Sequence, residues 1–360
     1  MPIVSNVVVG LQHGDEGKGK VINYLAEAET YHMSIRFGGG PNAGHTIYKH
    51  GVKLVTHGIP NAITEGLICI IGPGCVVDLN KLELEIQYLE KYGINVRDNL
   101  KISHNAHIIT PECILEDIKS DKVGTTKCGI GPTYSRKMKR IGKRIIDLMD
   151  TKYTSDDITY EYGIRGEVLG CNVVDSFKYI QYIEKSYENK GEILKILFEG
   201  AQGFDLDIDW GDYPYVTSSS CLTYQIFSTG VPISSLGTVY GVSKIYDTYV
   251  GSKKFMPPNE NNLIKLQKIG SEYGSTTNRP RQCNWINLSN LQRSIQLNNV
   301  KILIINKCDI LEKLGVYKLY NNNEELEVFT DFQEFLQKIE TSLSNLGLQD
   351  IIFSYSPETV

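Results

Sequence analysis

Residues 8–20 read Val-Val-Gly-Leu-Gln-His-Gly-Asp-Glu-Gly-Lys-Gly-Lys, and this stretch decides the fold. Val7, Val8 and Val9 read as the end of a buried strand. Gly14, Gly17 and Gly19 then alternate with Lys18 and Lys20 ahead of the helix-forming Val-Ile-Asn-Tyr-Leu-Ala-Glu. A strand, a glycine-rich turn and a helix together make a phosphate cradle. Backbone N–H groups converge there, the helix N-terminus adds partial positive charge, and lysine neutralises the anion. The spacing Gly14-x-x-x-x-Gly19-Lys20 fits the P-loop template, but Val21 stands where that template has a Mg²⁺-binding Ser or Thr. Asp15 and Glu16 place two carboxylates inside the loop, where they would repel a phosphate. Such groups are tolerable there if they bind a metal or do chemistry.

Working outward, the 360-residue chain is long enough for one large α/β domain, and no convincing linker, repeat or low-complexity tract divides residues 1–360. Its 41% hydrophobic and 22% charged content is that of a soluble globular protein. A net charge of −5 offers no general attraction for nucleic acid or an anionic membrane, so any phosphate site must be local. No apolar run approaches the roughly 20 residues that span a bilayer. The eight cysteines are scattered without a Cys-x-x-Cys pair, which suits free thiols in the cytoplasm and not a disulfide framework or zinc site.

Further along, Gly38-Gly-Gly-Pro-Asn-Ala-Gly-His-Thr46 is a second ligand-approach loop, and Thr46–Lys49 with Lys53–Thr56 reads as a hairpin. Leu67–Ile71 reads as a buried strand. Asp78 caps an expected helix carrying Leu82, Leu84, Ile86 and Leu89. Residues 124–134 form another Gly/Thr loop ahead of a basic stretch from Arg136 to Arg144. Residues 150–170 are polar and Tyr-rich without a pattern. Phe177–Tyr187 reads as helix, Ile196–Glu199 as a strand into Gly-Ala-Gln-Gly203, Thr238–Tyr246 as strand and Lys253–Asn262 as a polar connection. The last third alternates helix (287–298), strand (301–305), helix (331–344) and strand (350–354). This alternation predicts a large, mostly parallel central sheet flanked by helices, with ligand loops at its strand ends.

Asn306-Lys307-Cys308-Asp309 ends the apolar strand at 301–305. An Asp carboxylate accepts paired bonds from guanine N1–H and its 2-amino group, whereas adenine offers no such donor pair. After a buried strand, in a chain that opens with a Gly-Lys loop, the motif points to GTP. A regulatory GTPase switch and an enzyme that uses GTP as a reagent both fit so far. The switch requires a Ser/Thr after Gly-Lys and a separate Asp-x-x-Gly; the first is absent, and Glu199-Gly-Ala-Gln-Gly only loosely resembles the second. The number of additional loops favours the enzyme.

Seven motifs in order carry a family resemblance: Gly14–Lys20, Asn42-Ala-Gly-His-Thr46, Gly124-Thr-Thr with Gly129-Ile-Gly-Pro, Phe198–Gly203, Tyr213-Pro-Tyr-Val-Thr-Ser218, Tyr273-Gly-Ser-Thr-Thr277 with Arg279 and Arg281, and Asn306–Asp309. Over nearly the whole chain the sequence resembles the adenylosuccinate synthetases. The resemblance implies a homodimeric GTP- and Mg²⁺-dependent ligase that joins L-aspartate to C6 of a 6-oxopurine nucleotide. It implies Asp15 as the base at N1 and His45 as the acid at O6, with Mg²⁺ on Asp15 and the Gly44 carbonyl. The GTP site would comprise Gly14, Asp15, Glu16, Gly17, Lys18, Gly19, Lys20, Gly44, His45, Thr46, Arg281, Lys307, Cys308 and Asp309, with Ser354, Tyr355 and Ser356 against the guanine. The purine monophosphate would meet Asp15, Lys18, Asn42, Ala43, Gly44, His45, Thr126, Gln202, Leu206, Thr217, Val250 and Arg279, and Arg140 from the neighbouring subunit. Ser275, Thr276, Thr277, Asn278, Arg279 and Arg281 would hold aspartate, arginines suiting it by bidentate pairing with carboxylate.

The chain is shorter than most bacterial members and in this resembles archaeal and phage ones. Thr-Tyr-Val-Gly-Ser-Lys-Lys-Phe-Met (248–256) replaces the usual Thr-Arg-Val-Gly-x-Gly-Pro-Phe-Pro, and Asn278 replaces a Gly. Ser356 stands for the Gly of the terminal Ser-x-Gly-Pro, and Cys128 for a frequent Arg. Because the first two changes lie beside the expected sugar and aspartate, the sequence narrowly favours a phage-type enzyme acting on dGMP over one acting on IMP. Asp15 itself resembles the ordinary synthetase, since phage members often carry Ser there.

Overall fold

The structure is a computed structural model, and it describes residues 3–42, 44–49, 51–120, 124–149, 163–274, 278–357 and 360. In chain order the strands are β1 (Ile3–Gly10), β2 (Met33–Arg36), β3 (His45–Lys49), β4 (Val52–Thr56), β5 (Ile68–Ile71), β6 (Val76–Val77), β7 (Leu100–Ser103), β8 (His107–Ile108) and β9 (Ile164–Val168). They continue as β10 (Cys171–Val174), β11 (Leu194–Glu199), β12 (Leu236–Lys244), β13 (Tyr246–Tyr249), β14 (Gln282–Asn287), β15 (Ile302–Asn306), β16 (Tyr317–Tyr320), β17 (Leu326–Phe329) and β18 (Asp350–Phe353). Ten of them form one sheet in the order β18-β15-β12-β1-β11-β2-β5-β7-β10-β9. All neighbours in it run parallel except the edge strand β9, which is antiparallel to β10.

β1 lies inside this sheet between β11 and β12, covered on both faces, which is why its sequence is a continuous apolar run. Successive side chains of a strand point to opposite faces. Val7 and Val9 accordingly enter one hydrophobic core with Phe198 and Val239, while Val8 enters the other with Val21, Ile22 and Leu25. Because the strands are parallel, the loops after β1, β2, β11, β15 and β18 emerge from one edge of the sheet. The Gly14–Lys20 motif, the described part of the 42–46 motif, Gly200–Gly203 and the Asn306–Asp309 motif sit on those loops.

A second sheet, β13-β14-β16-β17, and the β3/β4 hairpin flank that edge. The hairpin forms in the expected register, with Thr46 opposite Val55. Asp78 caps the helix Leu79–Glu90 by accepting from the backbone N–H groups of Asn80 and Lys81.

Several expectations are corrected. Leu84 is 66% exposed, because positions 82, 86 and 89 share one helical face and 84 does not. The strand read as Thr238–Tyr246 is two strands in different sheets, β12 and β13, broken at Ile245. Most of the polar connection at 253–262 holds, but a helix begins at Asn261 and buries Leu263 and Leu266. Within the stretch without a pattern, residues 164–168 form β9, which pairs with β10 just beyond it; residues 150–162 lie outside the described ones. Among the described residues no helix is long and apolar enough to cross a membrane. All eight cysteines are free.

Candidate active site

The loop after β1 is built around Glu16. Its carboxylate is fully buried and accepts from the backbone N–H groups of Gln12 (3.2 Å) and Gly14 (2.9 Å) and from Lys18 Nζ (2.6 Å). Asn306, at the end of β15, donates through Nδ2 to the Glu16 carbonyl at 2.7 Å and ties the two nucleotide motifs together. Gly203 is a glycine for the same reason: a Cβ there would stand 2.2 Å from the Glu16 carboxylate. The expectation that Glu16 faces the ligand is therefore corrected, since its carboxylate organises the loop from within. Lys18 turns its charge inward to the same group. Cys308 is likewise fully buried, its thiol on the Ile305 carbonyl, so only its backbone can face a nucleotide.

Asp15 behaves in the opposite way. It adopts a left-handed backbone conformation (φ 59°), its side chain is 29% exposed, and its carboxylate meets Arg281 Nε at 2.7 Å. Arg281 also contacts Glu272 through Nη1 at 2.7 Å. Glu272 is buried and takes Lys244 Nζ at 3.2 Å and the Tyr246 hydroxyl at 2.6 Å, with Lys307 Nζ 4.0 Å away. Burial alone would raise the Glu272 pKa, but Lys244, Lys307 and Arg281 together hold it down at about 2.

On the other side of the loop, His45 Nδ1 lies 3.0 Å from Glu199 Oε1. Asn61 fixes that carboxylate through its backbone N–H (2.8 Å) and Nδ2 (2.9 Å). Burial lowers the His45 pKa; for Glu199, burial raises it, but bonding and attraction from His45 and the nearby Arg36 leave it below the ordinary value. The resting pair is thus a carboxylate and a neutral imidazole with Nδ1–H donating.

The purine-side residues converge from several loops. Gln202, left-handed at φ 55°, donates to Asn42 Oδ1 at 3.1 Å. Its own Oε1 is buried with no partner among the described residues, an acceptor suited to a ligand donor. Leu206 accepts through its carbonyl from Thr217 N–H at 2.8 Å, and its side chain and Gln202 lie over Gly14. Arg279 Nη1 donates to the Gly124 carbonyl at 3.2 Å, and Gly124 abuts Gly251 and Ser252, which brings Thr126, Val250 and Arg279 to one corner. The Asn278 N–H bonds the Gly274 carbonyl and the Gly274 N–H bonds the Arg279 carbonyl, both at 2.9 Å, closing the 274–279 loop. Asn278 takes φ 51°, a conformation asparagine tolerates, so its substitution for Gly leaves the backbone path intact.

The guanine-side residues also assemble. Lys20 Nζ donates to Ser354 Oγ (2.7 Å) and the Ser356 carbonyl (2.9 Å), and burial pulls its pKa down to about 8. Cys308 N–H donates to the Ser354 carbonyl at 3.2 Å, while Asp309 lies in the first turn of the helix Cys308–Leu314 and Tyr355 is exposed. A Cβ at Gly17 would stand 2.8 Å from the Asn306 amide and one at Gly19 3.3 Å from His45, so the loop runs between these groups, and Gly44 and Thr46 flank His45 in the chain. Arg140 is not brought in: it is exposed at the far end of the helix Ile130–Lys139, about 15 Å along the axis from Gly129. Ala43, Ser275, Thr276 and Thr277 lie outside the described residues.

Sequence reasoning missed Glu199, Glu272, Lys244 and Asn61. For Glu199 and Lys244 the available signal was a charged residue ending an apolar strand, where no solvent is at hand; Glu272 follows a helix and Asn61 opens a short turn, and neither carries that signal. It also missed a buried cluster under the loop, with His13 Nδ1 2.9 Å from Asp247 and 3.6 Å from Asp205. These three side chains have the donor set of a cation site, but the imidazole is already hydrogen-bonded to Asp247. Mg²⁺ prefers oxygen donors and retained phosphate and water ligands. Asp15, half out of the loop mouth, fits that demand, with the Gly44 carbonyl beside His45.

The chain matches the family model described as adenylosuccinate synthetase over residues 7–347. It is 40% identical over 346 residues to an adenylosuccinate synthetase of Acetivibrio thermocellus, covering 88% of this chain and 81% of that one. In structure it is similar to a fully ligated adenylosuccinate synthetase from Plasmodium falciparum, with a TM-score of 0.80 and 29% identity over 99% of this chain and 98% of the other. It is also similar to a cyanophage S-2L succinoaminodeoxyadenylate synthetase bound to dGMP and dATP, with a TM-score of 0.71 over 99% and 94% of the two chains. At 21% identity this last likeness bears on the fold alone.

Proposed function

The chain belongs to the adenylosuccinate synthetase family of carbon–nitrogen ligases, and we propose that it joins the amino group of L-aspartate to C6 of IMP, converting GTP to GDP and phosphate. The observation that carries this reading is Asp15: a partly exposed carboxylate inside a glycine-rich loop, paired only with Arg281 among the contacts found for the described residues, while Arg281 is shared with Glu272. Relatives 36–40% identical that bear the synthetase name support IMP over the dGMP reading favoured by the drift near Val250. The intact backbone at Asn278 removes part of the motive for dGMP.

In this reading the γ-phosphate of GTP and the carboxylates of aspartate draw Arg281 away and free Asp15. Asp15 takes the N1 proton of the purine, O6 attacks the γ-phosphorus, and GDP leaves. Negative charge arriving at the loop opposes the burial that keeps His45 neutral. The imidazole, anchored at Nδ1 by Glu199, then carries a second proton and donates a hydrogen bond from Nε2 to the charge developing on O6 or the bridging oxygen. The aspartate amine forms the C6–N bond as the C6–O6 bond breaks, and its surplus proton leaves with the phosphate. Bound on Asp15 and the Gly44 carbonyl, Mg²⁺ would offset phosphate charge.

Lys20, Asn306, Lys307, Asp309 and Ser354–Ser356 would seat GTP; Asn42, Thr126, Gln202, Leu206, Thr217 and Val250 the purine monophosphate; Arg279 and the 274–279 loop aspartate. Arg140 would reach the monophosphate of a second copy. Exposed Leu115, Ile118 and Met138 on neighbouring helices, with Ile141 just past the second, support a homodimer; the cytoplasm is the compartment the reading implies. Incubation with GTP, aspartate and Mg²⁺ plus either IMP or dGMP tests the reading. Adenylosuccinate from IMP is expected, whereas turnover of dGMP alone overturns the choice of acceptor. GTP hydrolysis with no new C6–N bond overturns the reaction.

A further inference from the structure

A second polar concavity lies apart from the loops of the cleft, beside the C-terminal half of the helix Ile130–Lys139. It encloses about 320 Å³, and Asn105, His107, Lys137, Arg144, Gln225 and Ser228 line it. Lys137 and Arg144 are its charged lining groups, and among the described residues the side-chain hydrogen bonds that hold them go to neutral acceptors. Lys137 Nζ donates to the Pro73 carbonyl at 3.3 Å, and Arg144 Nη1 to Asn105 Oδ1 at 3.2 Å. Two cations resting on neutral groups around an open volume retain most of their capacity for an oxyanion.

His107 supplies the independent observation. The residue is only 8% exposed, and its Nδ1 is buried with no hydrogen-bond partner among the described residues. An unsatisfied buried polar atom costs free energy, and in native proteins it usually marks a missing ligand, ion or water. The groups acting on the ring are Lys137 on the helix, Arg144 on the strand-like bridge opposite β8, the Asn105 backbone, and Asp147, which accepts from the Arg144 N–H at 2.8 Å. Burial first, then Lys137 and Arg144, push the imidazole down to about 4, so the ring is neutral near pH 7 and adds no charge of its own.

We propose that this cavity is a binding site for a small phosphate-bearing anion, seated on Lys137 and Arg144 against the His107 ring. At roughly 30 Å³ per liquid water, the volume exceeds that of bare phosphate and leaves room for a small organic remainder. An anion held there offsets the field of the two cations, so the proton affinity of His107 rises when the site fills.

The test uses the full chain with histidine labelled at Cε1, the His107 signal being assigned by its loss in His107→Phe. Inorganic phosphate is titrated against a chloride control of equal ionic strength. A saturable shift of the His107 signal is expected, together with a rise in its titration midpoint. In Lys137→Met/Arg144→Met the shift weakens more than about tenfold, the effect of losing a charge-assisted bond. An unmoved signal, a shift that does not saturate, or one that survives the double substitution overturns the proposal. Retained melting temperature shows that the variants fold. None of these residues is a cleft residue, so a negative result leaves the ligase reading untouched, and failure of IMP turnover leaves this site standing.

Discussion

Glu199 and Glu272 are both fully buried beside the phosphate loop, yet they hold its two sides differently. Glu199 answers to one neutral imidazole and to the backbone and side-chain N–H groups of Asn61, all at short distance. Glu272 gathers Lys244 and Arg281 directly and Lys307 at longer range, more positive charge than one carboxylate neutralises. The excess passes through Arg281 to Asp15. In the proposed reaction the His45 side is already held in place, whereas the Arg281 side is closed on itself and would have to exchange an internal anion for the anions of substrates. A single arginine would then gate the proposed base.

The strongest way to break this contrast is Asp15→Asn. Its amide keeps the shape of the loop but cannot take the N1 proton, so turnover should fall by about 100- to 10,000-fold. GTP binding, measured by calorimetry, should persist. Undiminished turnover would remove Asp15 from the chemistry and make its contact with Arg281 merely structural.

Glu272→Gln sharpens the contrast from the other side. It leaves Lys244 buried without its counter-ion, and loss of one partner from a buried pair costs about 3–5 kcal/mol. Chemical denaturation should register that loss, with KM for aspartate rising as Arg281 loses its seat. The acid limb carries the same information. Because the folded pKa is depressed to about 2, Glu272 contributes stability that is present above the ordinary glutamate range and is lost as pH falls from about 4.5 through 2. The wild-type denaturation midpoint should fall over that interval more steeply than that of the variant.

Glu199→Gln should be milder for stability and specific for catalysis. The amide still bonds Asn61 but no longer fixes the imidazole tautomer or favours its second proton. By analogy with carboxylates that orient metal-bound imidazoles, kcat should drop about 10- to 100-fold with little change in KM. An equal loss in Glu199→Asp and Glu199→Gln would indicate packing and not orientation.

How far the sequence could be read follows from the same division. The loop after β1, the Asn-Lys-x-Asp end of β15 and the hairpin at 45–56 are local: glycine spacing, apolar runs and turn residues specify them within a dozen positions. Glu199 meets His45 and Asn61 only after β11 pairs with β2, and Glu272 meets Lys244 only after β13 and β14 pair. Such partners are set by sheet order, which no short window encodes. Glu16 shows the reverse hazard. Its place in a phosphate loop suggested a ligand-facing carboxylate, and only the three-dimensional path of Gln12–Lys18 reveals that its bonds point inward.

The smallest effect expected lies beneath the loop, in the His13–Asp205–Asp247 cluster, which neither glutamate touches. Burial, together with the neighbouring Asp247 and Glu16 charges and against the pull of His13, raises the Asp205 pKa to about 7; His13 itself is raised, burial opposing Asp247 and Asp205 but not overcoming them. Both shifts mean that the folded chain binds protons more tightly than the unfolded one. Between about pH 4 and 7 the unfolded Asp205 is ionised while the folded one is not, so stability falls as pH rises, by at most ~1.4 kcal/mol per pH unit. The His13 contribution has the same sign, being complete below about 6.5 and lost above its raised folded value. Asp205→Asn removes the buried like-charge conflict with Asp247 while keeping size and hydrogen bonding. Its melting temperature should therefore lie above that of the wild type at pH 7–8 and converge with it near pH 4. If the two curves instead run parallel from pH 4 to 8, the cluster does not hold its extra proton, and the floor of the loop is a set of fixed charges indifferent to pH.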